Sequence, residues 1–330
     1  MMYRHSKMNN FKQQAGVTLV ELMVALSIGS FLMIGAVQVY NQSRQAFVIN
    51  ESIARVQETA QFAMDTIEAD IRMASNWGRH SRGSSVVGRS VTGDANPLTL
   101  AVPAGCGAAW ALDVSRPVQG NNNNFALACG PVGGAQVNSD TVTTRRATVA
   151  VSSLPLQAGR LYVQTTRIQG ELFTDGTVPS AFDPVASETH ALLVNTYYVA
   201  ASSTLIPGVP TLRRKMLGFA GGVPTIVDQE VAPGVENMQL QFGVDVDQDN
   251  TVDRYVNPGD AILDPLAVGF IPGARVLTAR IWLVVRGISP ELGIQDLRNY
   301  QPGDINLGVY TDAFRRMQVS KTILLRNART

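Results

Sequence analysis

The chain is poor in the residues that usually carry chemistry. Its 330 residues include only two cysteines and three histidines. His5, His80 and His190 are scattered and none lies near Cys106 or Cys129, so the Cys/His spacings of a zinc site are missing. A G-x-S-x-G elbow, a P-loop and a dinucleotide fingerprint are missing as well. No carboxylate pair signals acid–base work, and the expectation is a protein that is not an enzyme. Charge is scarce too: Asp, Glu, Lys and Arg make up 16% of the chain, and the net charge is +1. There is no long basic stripe. Arg145-Arg146 and Arg213-Arg214-Lys215 are short and isolated, as solvated strand ends are, and nucleic acid is not an expected partner.

Proline is absent from Val17 to Trp77, which permits a long uninterrupted helix. A polar leader carrying Arg4, Lys7 and Lys12 comes first. Gly16-Val17-Thr18-Leu19-Val20-Glu21 then opens an apolar run that reaches about Val37. About 20 apolar residues suffice to cross a bilayer as a helix. The basic leader would keep the N-terminus cytoplasmic and put the bulk of the chain in the periplasm. No small-residue cleavage site follows the run, so an ordinary secretory signal is not expected. Glu21 stands out, because an ionisable group inside a membrane segment is costly and points to function. A plain signal anchor that tolerates a Glu near its membrane end is the alternative.

Beyond the run, Ile53, Val56, Ala60, Met64, Ile67, Ile71 and Ala74 recur at three- and four-residue steps, with Glu51, Arg55, Glu58, Asp65 and Arg72 between them. That spacing is one face of an amphipathic helix. It predicts one continuous helix over 17–77, membrane-spanning over 17–37, that stops near Asn76-Trp77-Gly78 with Gly78 as terminator. At 1.5 Å per residue this is a rod of roughly 90 Å. After Gly78, Gly, Ser, Asn, Pro and Thr become frequent and short β-branched runs replace the helical pattern. Strands are expected at Val86 to Val91, Leu98 to Val102, Thr141 to Val151, Leu161 to Ile168, Leu192 to Val199, Asn237 to Val246, Val276 to Val285 and Thr322 to Leu325. The stretches Gly105 to Ser139 and Phe173 to Thr189 read as loops. The expected fold class is therefore α+β: a long N-terminal helix packed on a mostly antiparallel β head that occupies 78–330.

Cys106 and Cys129 lie in that head. In a domain carried out of the cytoplasm such a pair reads as one disulfide, with two free buried thiols as the alternative. A second motif is Asp245-Val246-Asp247-Gln248-Asp249-Asn250-Thr251-Val252-Asp253. Its carboxylates fall at positions 1, 3, 5 and 9 of an EF-hand-type loop, and Thr251 falls where a backbone carbonyl serves as ligand. Position 12 is Val256, so the bidentate glutamate is missing, and no helix pair flanks the loop. The expectation is a short calcium loop between strands, in preference to magnesium; an exposed acidic turn is the alternative.

The basic leader, the glycine, the apolar start and Glu21 together resemble the class III signal of type IV prepilins. Phe242-Gly243-Val244-Asp245 with the aspartate loop and Arg254-Tyr255-Val256 resembles minor pilins of the PilW type. The resemblance implies a leader at 1–16 and cleavage by prepilin peptidase between Gly16 and Val17. It also implies N-methylation of Val17, which stands where the family most often has Phe. The leader is long for the class, and Met2 and Met8 are further candidate starts. Glu21 is implied to neutralise the N-terminal amine of a neighbouring subunit during assembly. Also implied are a place in the inner membrane and later in the pilus fibre, and a role in starting pilus assembly and in twitching motility. The implied partners are other minor pilins, the major pilin and a tip adhesin. A minor pseudopilin of a type II secretion system and a non-assembling, membrane-anchored periplasmic binding domain are the alternatives.

Overall fold

The computed structural model describes residues 16–90, 96–100, 105–291 and 293–328. The expected leader, apart from Gly16, thus lies outside the described residues, as do the ends of two expected strands at Val91 and at 101–102. The chain divides into two compact units between Ser52 and Ile53, and one helix, α1 (Leu19–Met73), contributes to both.

In the first unit α1 is apolar nearly all round from Leu22 to Val37. Its best 18-residue window has a mean hydropathy of 2.1 and none of that window is buried. Ser27 and Ser30 donate their hydroxyls to the carbonyls of Met23 and Leu26, at 2.8 and 2.7 Å, so these polar groups are satisfied within the helix. In the second unit the same helix buries a stripe of Val56, Ala60, Ala63, Met64, Ile67 and Ile71. The helix ends earlier than the sequence predicts. Ser75, at φ 66, takes the left-handed position, and the amides of Ala74 and Asn76 bond back three residues to Ile71 and Met73. Gly78 also has positive φ (97), but there the glycine is needed for room. A Cβ would come within 2.7 Å of His190 Nε2.

Short strands come first in the second unit: β1 (Val86–Val87), β2 (Val118–Asn121), β3 (Thr141–Ala147), β4 (Tyr162–Thr165) and β5 (Gly170–Phe173). A five-residue helix, α2 (Ala108–Leu112), lies between β1 and β2. Longer strands follow: β6 (Glu188–Ala200), β7 (Thr211–Ala220), β8 (Val223–Pro233) and β9 (Val235–Asp245). The remainder are β10 (Arg254–Val256), β11 (Arg275–Arg286), β12 (Asn299–Tyr300), β13 (Gly308–Val309) and β14 (Arg316–Leu324).

β1 to β8 form an eight-stranded sheet in which β6 is the hub, pairing β4, β3 and β7 along successive parts of its length. A second sheet has the order β10-β9-β11-β14. Every pairing is antiparallel except that of β1 with β5. The stripe of α1 meets Met238, Leu240 and Phe242 of β9, Ile281 and Leu283 of β11, and Tyr197 of β6 in one core. A separate core gathers Trp77, Trp110, Leu112, Val163, Leu192 and Val194 on the other side of the larger sheet.

One expected loop, one expected strand and one expected surface need correction. The 105–139 stretch contains α2 and β2. No strand covers the described residues 98–100. Arg213 and Lys215 are not solvated strand ends: both are buried in mid-strand on β7. They pair there with Asp228 and Glu230 of β8, Arg213 at 2.7 and 3.1 Å and Lys215 with Asp228 at 2.7 Å. Arg145 is buried as well, and Arg146 is tied to Asp70 of α1 at 3.0 Å.

Candidate functional site

The first site is the start of α1. Gly16, Val17 and Thr18 are in non-helical backbone, and Val17 is 72% exposed. A peptide bond there has its amides free of the helical ladder, as a peptidase requires. The Thr18 carbonyl accepts the first helical bond, from Leu22, so Thr18 is the N-cap. Its Oγ1 accepts from the amide of Glu21 at 3.3 Å, and Glu21 Oε2 accepts from the Thr18 amide at 3.0 Å and from its hydroxyl at 3.0 Å. This is a reciprocal capping box. It places the Glu21 carboxylate on the backbone one residue from Val17. The Thr18-x-x-Glu21 spacing carries this signal in the sequence, and sequence reasoning attended only to the charge.

The second site is the turn between β9 and β10. Their registers, Val244 opposite Arg254 and Gly243 opposite Tyr255, close the acidic loop over residues 245–253. Asp245, Asp247 and Asp253 each bring a carboxylate oxygen within 4.8 Å of the others. Asp249 is outside this group; its Oδ1 takes the Thr251 amide at 2.7 Å and the Thr251 hydroxyl at 2.6 Å. The structure therefore gathers three of the four aspartates and turns Asp249 and Thr251 on each other.

Asp245 is fully buried and accepts the amides of Gln248 and Asn250 at 2.6 and 3.0 Å. Arg275, directly opposite on β11, sits 3.0 Å from the same carboxylate and also reaches the Gln248 carbonyl. Burial works to raise the Asp245 pKa. The guanidinium and the two amides outweigh it and hold the carboxyl below its usual range. Sequence reasoning missed Arg275 because the cross-strand register that brings it to Asp245 is not visible in local spacing. The three carboxylates could hold one hard cation, for which Arg275 would compete at Asp245.

The third feature is the bridge between Cys106 and Cys129, whose Cα atoms are 4.4 Å apart. It closes a segment that carries α2 and β2 and bonds Trp110 Nε1 to Thr196 of β6.

A long N-terminal helix, apolar in its first half and packed in its second half on antiparallel sheet, defines an α+β, pilin-like fold. Residues 11–37 match the prokaryotic N-terminal methylation motif, and residues 196–327 match the family described as type IV pilus-assembly protein W. The two matches support a relationship to PilW-type pilins and a prepilin-type signal, and with them a link to the type IV pilus. No curated protein and no solved structure matches the chain. The capping box falls in the first match and the acidic loop in the second, while the disulfide-bridged segment falls in neither.

Proposed function

We propose that this chain is a minor pilin that helps to initiate type IV pilus assembly and stays in the fibre at or near its tip. The first half of α1 anchors the subunit in the inner membrane, with the head in the periplasm. Prepilin peptidase cuts between Gly16 and Val17 and the new Val17 amine is methylated. Glu21, held beside that terminus by the capping box, then neutralises an amine in the helix bundle. Other minor pilins, the major pilin and a tip adhesin are the partners.

The observation that carries this reading is the pair of opposite faces in α1. Its first half exposes Leu19, Phe31, Leu32 and Met33 by 69 to 80%, whereas its second half is sealed into the head. A helix apolar all round needs an apolar environment all round, and lipid or a bundle of like helices supplies one.

Mass spectrometry of the N-terminus, in sheared fibres and in membranes, tests the reading. A chain that starts at N-methylated Val17 in the fibres is expected. A chain that keeps residues 1–16 and occurs only in membranes overturns it. Loss of twitching with secretion intact, on deletion, separates the pilus from a secretion pseudopilus.

A second reading rests on the carboxylate oxygens within 4.8 Å of one another: calcium at Asp245, Asp247 and Asp253. Millimolar calcium should then raise the melting temperature where magnesium does not, and Asp247→Asn should abolish the rise. Equal melting in calcium and in chelator sinks it.

A further inference from the structure

The segment bridged by Cys106 and Cys129 covers a charge that bonds no carboxylate among the described residues. Arg145 of β3 is 2% exposed. Its Nε, Nη1 and Nη2 donate to the carbonyls of Trp110 and Arg116 and to Oε1 of Gln119, at 2.7, 2.6 and 3.0 Å. All three acceptors are neutral. The carboxylate that acts on Arg145, Asp113, is itself paired with Arg116 at 2.5 Å and accepts from Ser115 at 2.7 Å. Burial lowers the Arg145 pKa only to about 10, so the guanidinium stays charged at neutral pH. A guanidinium has five N–H groups. With three bonded, one on each terminal nitrogen is left over among the described residues. An unpaired buried charge is expensive, because neutral acceptors return only part of the lost hydration.

Beside this charge is a cavity of about 140 Å³. Arg145 lines it together with Thr143, Gln119, Asn121, Trp110 and Cys106. The lining is polar on the strand side, where Gln119 stands opposite Thr143 in the β2–β3 register. A cavity of this size accepts a molecule of about six heavy atoms. Two spare N–H groups on one planar fork match the two oxygens of a single carboxylate or phosphate.

We propose that this cavity binds a small oxyanion, a carboxylate or a phosphate, in the fork of Arg145. The anion supplies the missing counter-charge, and the bridge holds the Trp110 and Arg116 carbonyls that aim the fork. The site goes beyond the pilus role: its lining residues lie outside both family matches, and the start of α1 takes no part in it.

The test is calorimetry and thermal melting of the full chain in detergent micelles, with acetate or inorganic phosphate against chloride at equal ionic strength. One saturable site is expected, with a raised melting temperature, for at least one of the two anions; the one that binds identifies the class. Arg145→Lys keeps the charge but loses the fork, and should weaken binding at least about tenfold. Should that variant fail to fold, Leu127→Phe fills the cavity from the side of the bridged segment and should abolish binding with Arg145 in place. No saturable binding of either anion beyond chloride overturns the proposal. So does binding that Leu127→Phe leaves unchanged.

Discussion

The two halves of α1 are made of similar residues and meet opposite fates. Between Leu19 and Ile49 its large apolar side chains are exposed, whereas between Val56 and Ile71 the apolar stripe is buried and Ala63, Ile67 and Ile71 are inaccessible. The difference lies in where the polar residues fall. In the second half they leave a single apolar stripe, which one sheet can cover. From Leu22 to Val37 only Ser27 and Ser30 interrupt the apolar surface, and no single face of a head could cover it. Each half also holds one central carboxylate. Glu21 caps its own helix from an exposed position, while Asp70 is a buried hub that accepts from Arg146 at 3.0 Å, Asn195 at 2.6 Å and Tyr197 at 2.6 Å.

The sharpest way to break the comparison is to remove one carboxylate from each half. Asp70→Ala takes the acceptor from a half-buried guanidinium, a buried amide and a buried phenol, and should cost about 3 kcal/mol of head stability in urea unfolding. Glu21→Ala should leave the same transition within about 0.5 kcal/mol and act on fibre incorporation instead. Loss of head stability in Glu21→Ala would erase the distinction. Apolar truncations give the next largest contrast. Ile67→Ala should cost about 3 kcal/mol, and Leu26→Ala, 64% exposed, should cost the head nothing measurable.

An effect of pH is confined to the head. Asp140 is fully buried and accepts the amides of Asn123 and Leu240, both at 2.7 Å. Burial pushes its carboxyl up to about 7 against those two bonds, and Asp304 adds to the rise. The folded form therefore keeps a proton that the unfolded chain releases from about pH 4 upward. Stability should fall as the pH rises from about 4 to 7, by up to about 4 kcal/mol, and level off above that. Asp140→Asn should flatten this slope in melting experiments across the range. An unchanged slope in the variant would assign it to another group.

Much of this architecture is legible in the sequence wherever local spacing decides the outcome. The apolar run, the stripe from Ile53 to Ala74 and the strands around Leu192, Leu240 and Leu283 all follow from period alone. What escapes is set by partners distant in the chain. The β7–β8 hairpin turns at Gly221-Gly222, with φ of 61 and 79 and Ala220 opposite Val223. Two residues of positive φ suit a type I′ turn, so the signal is present. Arg213 and Lys215 disguise it, because they read as surface until Asp228 and Glu230 arrive across the strand. The helix end escapes for a related reason: Gly78 is the obvious terminator, yet Ser75 turns the chain first. In the acidic loop the spacing shows the clustering of aspartates. It does not show that Asp249 bonds Thr251 or that Arg275 enters from β11.

The last strand of the head has a consequence in time. Lys321 of β14 meets Glu68 of α1, 253 residues away. Just beyond it, the Arg326 amide and the Asn327 side chain bond the Arg72 and Ala74 carbonyls. The helix stripe is made early and its cover late. At about 5–20 residues per second, synthesis leaves that helix without the contacts of β14 for roughly 10–50 s. During that interval any sticky neighbour competes with the chain's own final strand, and a ribosome that stalls short of Lys321 releases a subunit that cannot close.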